Sequence, residues 1–451
     1  MPVTDSVAII GGGFSGTLQA INLVRHQGPR ALLIERRPEA GRGVAYSAAH
    51  PSHLLNVRAA NMSALPDEPD HFVKWLAQRG HSDTGEFAPR SVYGEYLAEL
   101  LEEARQAHPD RLQIVRGEAV DLQASDGVEV FLQDSSRLRA GAAVLALGNL
   151  LPAPPDNLDP GALSAGCYAP DPWVPGLAEG LGPHDEVLIV GTGLTTVDVA
   201  LLLDARGFRG RITAISRRGL LPRRQAAGPP VSTRLLERPN VEVSALLHGV
   251  RERSRKVGWH AAVDELRPFT QSIWLGATDD QRRRFLRHLR AWWDVHRHRI
   301  APPVATQLET LWGEGRLRVL AGRTLDFEPL GERVRVTWLP RSMTSPSHLT
   351  ARRIINCTGP RSDLQGTNDP FLRRLAANGL IAPDPLGLGI AVDRQARVLG
   401  ADGIANPQVF ALGPMTRGTF WEITAVPDIR VQTWTLARYL SNAHWVAGEG
   451  L

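Results

Sequence analysis

Two strand, glycine-turn, helix passages in one chain constrain this sequence more than any other feature. In the first, Val7-Ala8-Ile9-Ile10 runs into Gly11-Gly12-Gly13-Phe14-Ser15-Gly16 and then into a helical pattern through Leu18, Ile21, Leu23 and Val24. A second apolar strand, Ala31-Leu32-Leu33-Ile34, ends on Glu35, 19 residues after Gly16. In a G-x-G-x-x-G turn the first glycine permits the tight bend, the second lets backbone approach a pyrophosphate, and the third lets helix and strand pack closely. The acidic residue closing the second strand accepts hydrogen bonds from a ribose hydroxyl. A lone glycine triad is weak evidence, but strand, helix, second strand and carboxylate all arrive at the required spacing. Taken alone, the turn fits FAD and NAD equally.

The second passage reads Glu186-Val187-Leu188-Ile189-Val190, then Gly191-Thr192-Gly193-Leu194-Thr195-Thr196, then a helix carrying Val197, Val199, Ala200, Leu201 and Leu202. Its partner strand, Ile212 to Ser216, ends without a carboxylate and is followed by Arg217-Arg218. With no acceptor for a 2′-hydroxyl and two guanidiniums able to bind a phosphate, this turn favours NADPH, while NADH stays open. The expected contacts to the nicotinamide cofactor are Gly191, Gly193, Leu194, Thr195, Arg217 and Arg218.

The duplication extends past the turns. Arg111-Leu112-Gln113-Ile114-Val115-Arg116-Gly117 is echoed by Arg316-Leu317-Arg318-Val319-Leu320-Ala321-Gly322. Each is followed by an alternating segment, Val128 to Leu132 and Val334 to Trp338, and by an apolar strand ending in glycine, at Gly148 and Gly359. Two copies of one βαβ-plus-hairpin unit account for these matches. Two dinucleotides on one chain imply electron transfer between them, which gives the first turn, with Glu35, to FAD.

Length and composition agree with this reading. A chain of 451 residues exceeds what one core holds and divides into several domains. The net charge of +4 is carried almost wholly by Arg, with Lys74 and Lys256 the only lysines, and acidic residues are interspersed. That pattern speaks against a nucleic-acid footprint. Cys167 and Cys357 form neither a C-x-x-C pair nor a zinc spacing, so neither a redox dithiol nor a metal site is expected. The first strand begins too early for a signal peptide, and no segment reaches 18 apolar residues, so the expectation is a cytoplasmic protein without a membrane partner.

At these residues the chain resembles the two-dinucleotide-binding flavoproteins. The stretch Gly41-Arg42-Gly43-Val44-Ala45-Tyr46 through His53-Leu54-Leu55-Asn56-Val57 and Met62-Ser63-Ala64 narrows the resemblance to a bacterial family of FAD/NAD(P)-binding proteins. So do Ala411-Leu412-Gly413-Pro414, Arg417-Gly418, Trp421-Glu422 and Ala425-Val426-Pro427. That family includes FAD-dependent urate hydroxylases, and related proteins hydroxylate amino nitrogens. The resemblance implies an α/β fold with two Rossmann-like dinucleotide-binding domains of the three-layer ββα type and a helical insertion. The expected boundaries are 1–160 and 361–451 for FAD, 161–231 with 316–360 for NAD(P)H, and 232–315 for the insertion.

By that resemblance FAD is held by Gly11, Gly13, Phe14, Ser15, Gly16, Glu35, Arg36, Asn56, Met62, Ser63, Gly148, Gly413 and Pro414. Pro414 stands where the family carries an acidic residue. The candidates for proton transfer are His53 and Glu422. The implied reaction is a monooxygenation through a flavin hydroperoxide, with a small polar substrate and molecular oxygen as partners. Urate, giving 5-hydroxyisourate, is the first specific substrate; an amine or amino acid hydroxylated on nitrogen is the alternative, and reduction of another acceptor without oxygen insertion a third. A homo-oligomer is compatible with all three. The Arg- and Trp-rich helical stretch from Ser232 to Trp312 reads as a solvated amphipathic face, with an anion-recognising lid, including Arg297 and Arg299, as the functional alternative.

Overall fold

The computed structural model describes residues 5–47, 50–81, 86–226, 239 and 242–442. The chain opens with β1 (Ser6–Ile10), α1 (Phe14–Arg25), β2 (Arg30–Glu35), α2 (Gly43–Ser47), α3 (His71–Gln78) and α4 (Arg90–Ala107). Five strands follow: β3 (Leu112–Arg116), β4 (Ala119–Ser125), β5 (Gly127–Leu132), β6 (Arg137–Ala140) and β7 (Ala142–Leu145). The second copy comprises β8 (Tyr168–Ala169), β9 (Glu186–Val190), α5 (Leu194–Ala205) and β10 (Arg211–Ser216). A run of helices interrupts it: α6 (Val243–Val257), α7 (Trp259–Asp264), α8 (Thr270–Gly276), α9 (Asp279–His288), α10 (Arg290–Arg297) and α11 (Pro302–Gly313). It resumes with β11 (Leu317–Leu330), β12 (Arg333–Pro340), β13 (Ser347–Ala351) and β14 (Arg353–Asn356). The chain ends with α12 (Pro370–Ala377), β15 (Arg397–Leu399), β16 (Ala405–Ala411) and α13 (Val426–Leu440).

Two compact units result. Unit 1 comprises residues 1–47, 58–150 and 362–451; unit 2 comprises 48–57 and 151–361. The helical stretch thus belongs to unit 2, which also takes a short piece of chain from before the second copy begins. The expected start of the insertion at Ser232 lies outside the described residues.

In unit 1 the sheet order is β15-β16-β7-β1-β2-β3, with β1, β2, β3, β7 and β16 parallel. The central strands are near-continuous apolar runs, as strands covered on both faces must be. One face packs on the antiparallel β4-β5-β6 meander: Ala8, Ile10, Ile34, Ala143 and Leu145 share a core with Leu122, Val128, Val130 and Leu132. Helix α1 packs against α13, α4 and β2. The layers are therefore meander, sheet and helices.

Unit 2 orders its strands β13-β12-β11-β10-β9-β14-β8. Here the 14-residue β11 does two jobs. Leu317 to Ala321 pair in parallel with β10, and Gly322 to Leu330 pair antiparallel with β12. Leu188, Val190, Ile215, Phe327, Val334, Val336 and Trp338 bury one another where the two parts meet.

Candidate dinucleotide sites

In both units the chain leaves the first strand through a glycine with positive φ. Gly11 (φ 108°) lies so close to the next strand's exit that a Cβ would run into the Ala146 carbonyl; Gly191 (φ 123°) stands the same way against the Cys357 carbonyl. Gly13 and Gly193 are the N-cap residues of α1 and α5, and neither helix has a side-chain cap. The first-turn N–H groups therefore keep their hydrogen-bonding capacity, and the positive end of the helix macrodipole lies with them.

The surroundings of the two caps differ. A Cβ at Gly13 would meet only Gly43 Cα, at 3.6 Å, and one at Gly193 would meet nothing within 4 Å. Both turns thus leave the space before the helix start unobstructed, as the close approach of a pyrophosphate requires. In unit 1 that space has an extra wall, since Gly41 N donates to Gly12 O at 2.8 Å and draws residues 41–43 across the turn. At the third glycine position Gly16 packs against the Gly11 carbonyl, where a Cβ could not fit. Unit 2 places the buried Thr196 there, beside the Cys357 thiol, whose pKa burial pushes well up.

Glu35 ends β2 with each carboxylate oxygen engaged once: Oε2 accepts Gly12 N–H at 2.7 Å, and Oε1 accepts Arg37 N–H at 2.8 Å. An ionised carboxylate has about four acceptor positions, so it is held in place with capacity left for a ribose hydroxyl. The matching place in unit 2 is neutral. Thr192 Oγ1 donates to Leu220 O at 2.7 Å and lies 2.8 Å from Ser216 Oγ, which accepts Gly219 N–H at 3.1 Å. The two arginines that follow separate. Arg218 donates to His288 O at 3.2 Å and lies over the Trp292 ring at 5.9 Å, docked onto α9 and α10. Arg217 is exposed and has no hydrogen-bond or ion-pair partner among the described residues.

Gly413, with φ of 74°, brings the end of β16 onto α1. A Cβ there would meet Ser15 Oγ, and Gly413 N donates to Gln432 Oε1 at 2.9 Å. Phe14 and Ser15 lie in the first turn of α1, Pro414 is the second residue of the short helical turn Gly413–Thr416 after β16, and Gly148 follows β7 with φ of 68°. Other expected flavin contacts are used differently. The Ser63 hydroxyl donates within its own turn, to Glu68 O at 2.6 Å, and Met62 is buried beside it. Arg36 is exposed and paired with Glu118. Asn56 belongs to unit 2, where its carbonyl accepts from Gln225 Nε2 at 3.2 Å. Leu194 and Thr195 open α5 and are half-buried.

The proton-transfer candidates also separate. His53 is buried in unit 2; its Nε2 lies 3.0 Å from the Asp198 carbonyl oxygen and its Nδ1 accepts His50 N–H at 3.2 Å. With both ring nitrogens engaged, it anchors chain and has no proton free to give. Glu422 is buried in unit 1. The anion-recognising wall requires correction at Arg299, which is 3% exposed. It forms two hydrogen bonds with Asp264, at 2.6 and 3.1 Å, and others with Gln225 Oε1 and the His296 and His260 carbonyls. This guanidinium ties the helices to the chain after β10 and cannot meet a ligand. Arg297 is half-buried on α10.

Sequence reasoning missed Gly41, Gly43 and Gln432 as site residues. A second glycine pair shortly after Glu35 could have signalled the wall over the turn. Gln432 carries no local signal, because its role depends on α13 folding back. Among the described residues no helix is long and apolar enough to cross a membrane, and no group of three His, Cys, Asp or Glu could hold a metal.

Residues 8–150 match the sequence model of a family described as FAD-NAD(P)-binding. No curated protein matches the chain in sequence. Among solved structures, the reduced form of ornithine hydroxylase from Pseudomonas aeruginosa is similar at a TM-score of 0.66 and 14% identity, over 98% of this chain and 99% of that one. An ornithine N-hydroxylase from Kutzneria sp. 744, solved with reduced FAD, NADP+ and L-ornithine, gives 0.66 and 15% over 98% and 99%. L-lysine 6-monooxygenase from Pseudomonas syringae gives 0.65 and 15% over 98% and 99%. At such identities the likeness is one of fold.

Proposed function

We propose that this chain, a two-dinucleotide-binding flavoprotein with an FAD-NAD(P)-binding domain over residues 8–150, is an FAD-dependent, NADPH-consuming monooxygenase. Its substrate is the nitrogen of a small amine or amino acid. One observation carries the cofactor assignment: the chain holds two glycine turns of opposite character, one closed by the Glu35 carboxylate and the other by neutral Ser216 and the exposed Arg217, which has no ion-pair partner among the described residues. The first suits an unphosphorylated ribose and the second a 2′-phosphate.

Bound FAD supplies the hydride acceptance and oxygen chemistry that no protein side chain can perform. The chain's residues bind and orient. Gly13 and the uncapped start of α1 receive the flavin pyrophosphate, Glu35 fixes the adenosine ribose, and Gly413 leaves backbone room beside Ser15. Gly193 and the start of α5 receive the nicotinamide pyrophosphate, and Arg217 neutralises the 2′-phosphate. Of the two proton-transfer candidates Glu422 remains.

Substrate class is supported by what the fold neighbours are named for, ornithine hydroxylase, ornithine N-hydroxylase and L-lysine 6-monooxygenase, over nearly the whole length of both chains. Urate, which the family resemblance put first, has no counterpart among them and gives way to the amine reading.

The test follows NADPH oxidation and oxygen uptake by the purified yellow protein with ornithine, lysine, cadaverine, urate or no addition, together with product mass. Amine-stimulated uptake with a product carrying one added oxygen supports the proposal. Stimulation by urate alone would restore the purine reading, and reduction of artificial acceptors without oxygen incorporation would make the protein a reductase.

A further inference from the structure

Unit 1 contains a run of oxidisable rings that neither glycine turn uses. Tyr93 and Tyr96 lie on α4 and Trp75 on α3. The Tyr93 ring centroid is 6.2 Å from that of Phe14, the first residue of α1. Tyr93 lies 5.6 Å from Tyr96, and Tyr96 lies 5.5 Å from Trp75; Tyr46 is 4.9 Å from Tyr93, and Phe72, which is far harder to oxidise, lies within 5.0 Å of both Tyr93 and Tyr96. Tyr93 and Tyr96 are fully buried, and Trp75 retains a slight exposure.

Aromatic packing at these distances is ordinary in a core. What sets this run apart is where its protons can go. Losing one electron turns a phenol into a strong acid and an indole into an acid comparable to a carboxylic acid, so the vacancy settles best where a base takes the proton. Trp75 Nε1–H donates to Glu99 Oε2 at 2.8 Å, a carboxylate also paired with Arg79. The Tyr96 hydroxyl lies 3.0 Å from His71 Nδ1, and its oxygen also faces Ala64 N–H at 3.3 Å. Burial pushes the Tyr96 phenol up to about 12, so it rests in the neutral form that has a proton to give. The Tyr93 hydroxyl has no hydrogen-bond partner among the described residues, so that ring has nowhere to send a proton.

We propose that Trp75 and Tyr96, with Glu99 and His71 as their proton acceptors, form a one-electron relay that traps oxidising equivalents from oxygen-derived radicals. A hydroxyl radical takes one electron from Trp75 and becomes hydroxide, while the indole proton passes to Glu99. Tyr96 then gives one electron to Trp75 and its phenolic proton to His71 Nδ1, and Trp75 recovers its proton from Glu99. The direction follows from general chemistry, because at neutral pH an indolyl radical oxidises a phenol. The vacancy rests on Tyr96 until a small thiol in solution returns one electron and is itself oxidised to a thiyl radical, while His71 returns the proton to the phenoxyl oxygen. Its use to the protein rests on the oxygen chemistry proposed above; its existence does not.

The test is pulse radiolysis of the purified protein with azide radical, an oxidant made in the water that needs neither flavin nor nicotinamide. In the wild type the indolyl absorbance should fall and the phenoxyl absorbance rise at one shared first-order rate, independent of protein concentration. Tyr96→Phe should remove at least half of the phenoxyl yield, and Trp75→Phe should remove the shared fast phase. Glu99→Gln, which keeps a hydrogen-bond acceptor but not a base, should slow that phase several-fold while circular dichroism stays native. Wild-type yield and rate in both Tyr96→Phe and Glu99→Gln would overturn the relay. Failure of the amine assay would leave this result untouched, and the reverse also holds.

Discussion

The Glu35 carboxylate accepts the Gly12 amide at 2.7 Å, so the residue that would hold a ribose is itself held by the turn that would hold the pyrophosphate. Replacing Glu35 by Gln keeps the shape but turns a charged acceptor into an amide that can satisfy only one of the two N–H groups facing it. Hydrogen bonds to charged groups contribute about 1.5–3 kcal/mol, so Glu35→Gln should weaken FAD binding roughly 10- to 100-fold. Flavin fluorescence titration measures this directly. An unchanged affinity would remove Glu35 from the site.

Gly13 and Gly11 should respond differently to alanine. At Gly13 the added Cβ meets only Gly43 Cα at 3.6 Å, an ordinary contact, so Gly13→Ala should fold with little change in melting temperature yet be purified with little flavin. At Gly11 the methyl group meets the Ala146 carbonyl with φ at 108°, so Gly11→Ala should lose both flavin and stability. Full flavin content in folded Gly13→Ala would show that nothing approaches α1 there.

Arg217 and Arg218 are adjacent, but only Arg217 is unpaired among the described residues. Arg217→Ala should raise the KM for NADPH by about tenfold or more while leaving that for NADH within about twofold, as expected when a charge-assisted contact to phosphate is lost. Arg218→Ala should act mainly on thermal stability through its lost contacts to His288 and Trp292. Equal changes for both nicotinamides in Arg217→Ala would refute the phosphate role.

Arg299 joins α7 and α10 to Gln225 through its pair with Asp264. Asp264 is about half exposed and can turn to water when its partner is removed. Arg299→Ala should therefore cost about 2–3 kcal/mol, the scale of charged hydrogen bonds. Urea unfolding monitored by tryptophan fluorescence would register the loss. Saturable amine kinetics unchanged at low temperature would separate this structural role from one in recognition.

Stability should rise between about pH 5 and 7. Burial lowers the pKa of His26, aided by Arg438, and burial lowers that of His260 as well. For a base whose folded pKa is depressed, the unfolded chain binds the extra proton first, so stability is full above the unfolded value near 6.5 and declines as pH falls below it. Melting temperatures across this range should show the slope, and His26→Gln with His260→Gln should flatten it. A slope unchanged in the double variant would assign it to other groups.

Both turns, their strands and the contrast between Glu35 and Arg217-Arg218 were legible in the sequence. They are local: a tight bend needs glycine, a buried parallel strand needs an apolar run, and each lies within about 20–30 residues of its partner. The alternating strands β5 and β12 were legible as parts of hairpins, since alternation reports a half-buried strand, whereas the third strand beside each was not read.

What the sequence by itself determined was therefore the presence of two dinucleotide units and the chemical character of each turn. Only the tertiary structure decided which nearby groups are free to serve them. His53, Ser63 and Arg299 have residue types suited to catalysis or recognition, yet each has its polar atoms engaged by neighbours that folding supplies, among them Asp198, Glu68 and Asp264. Gln432 was silent in sequence and meets Gly413 only because α13 returns to α1. The physical reason is that backbone conformation follows from a residue and its near neighbours, whereas the availability of a polar side chain depends on partners brought from anywhere in the chain.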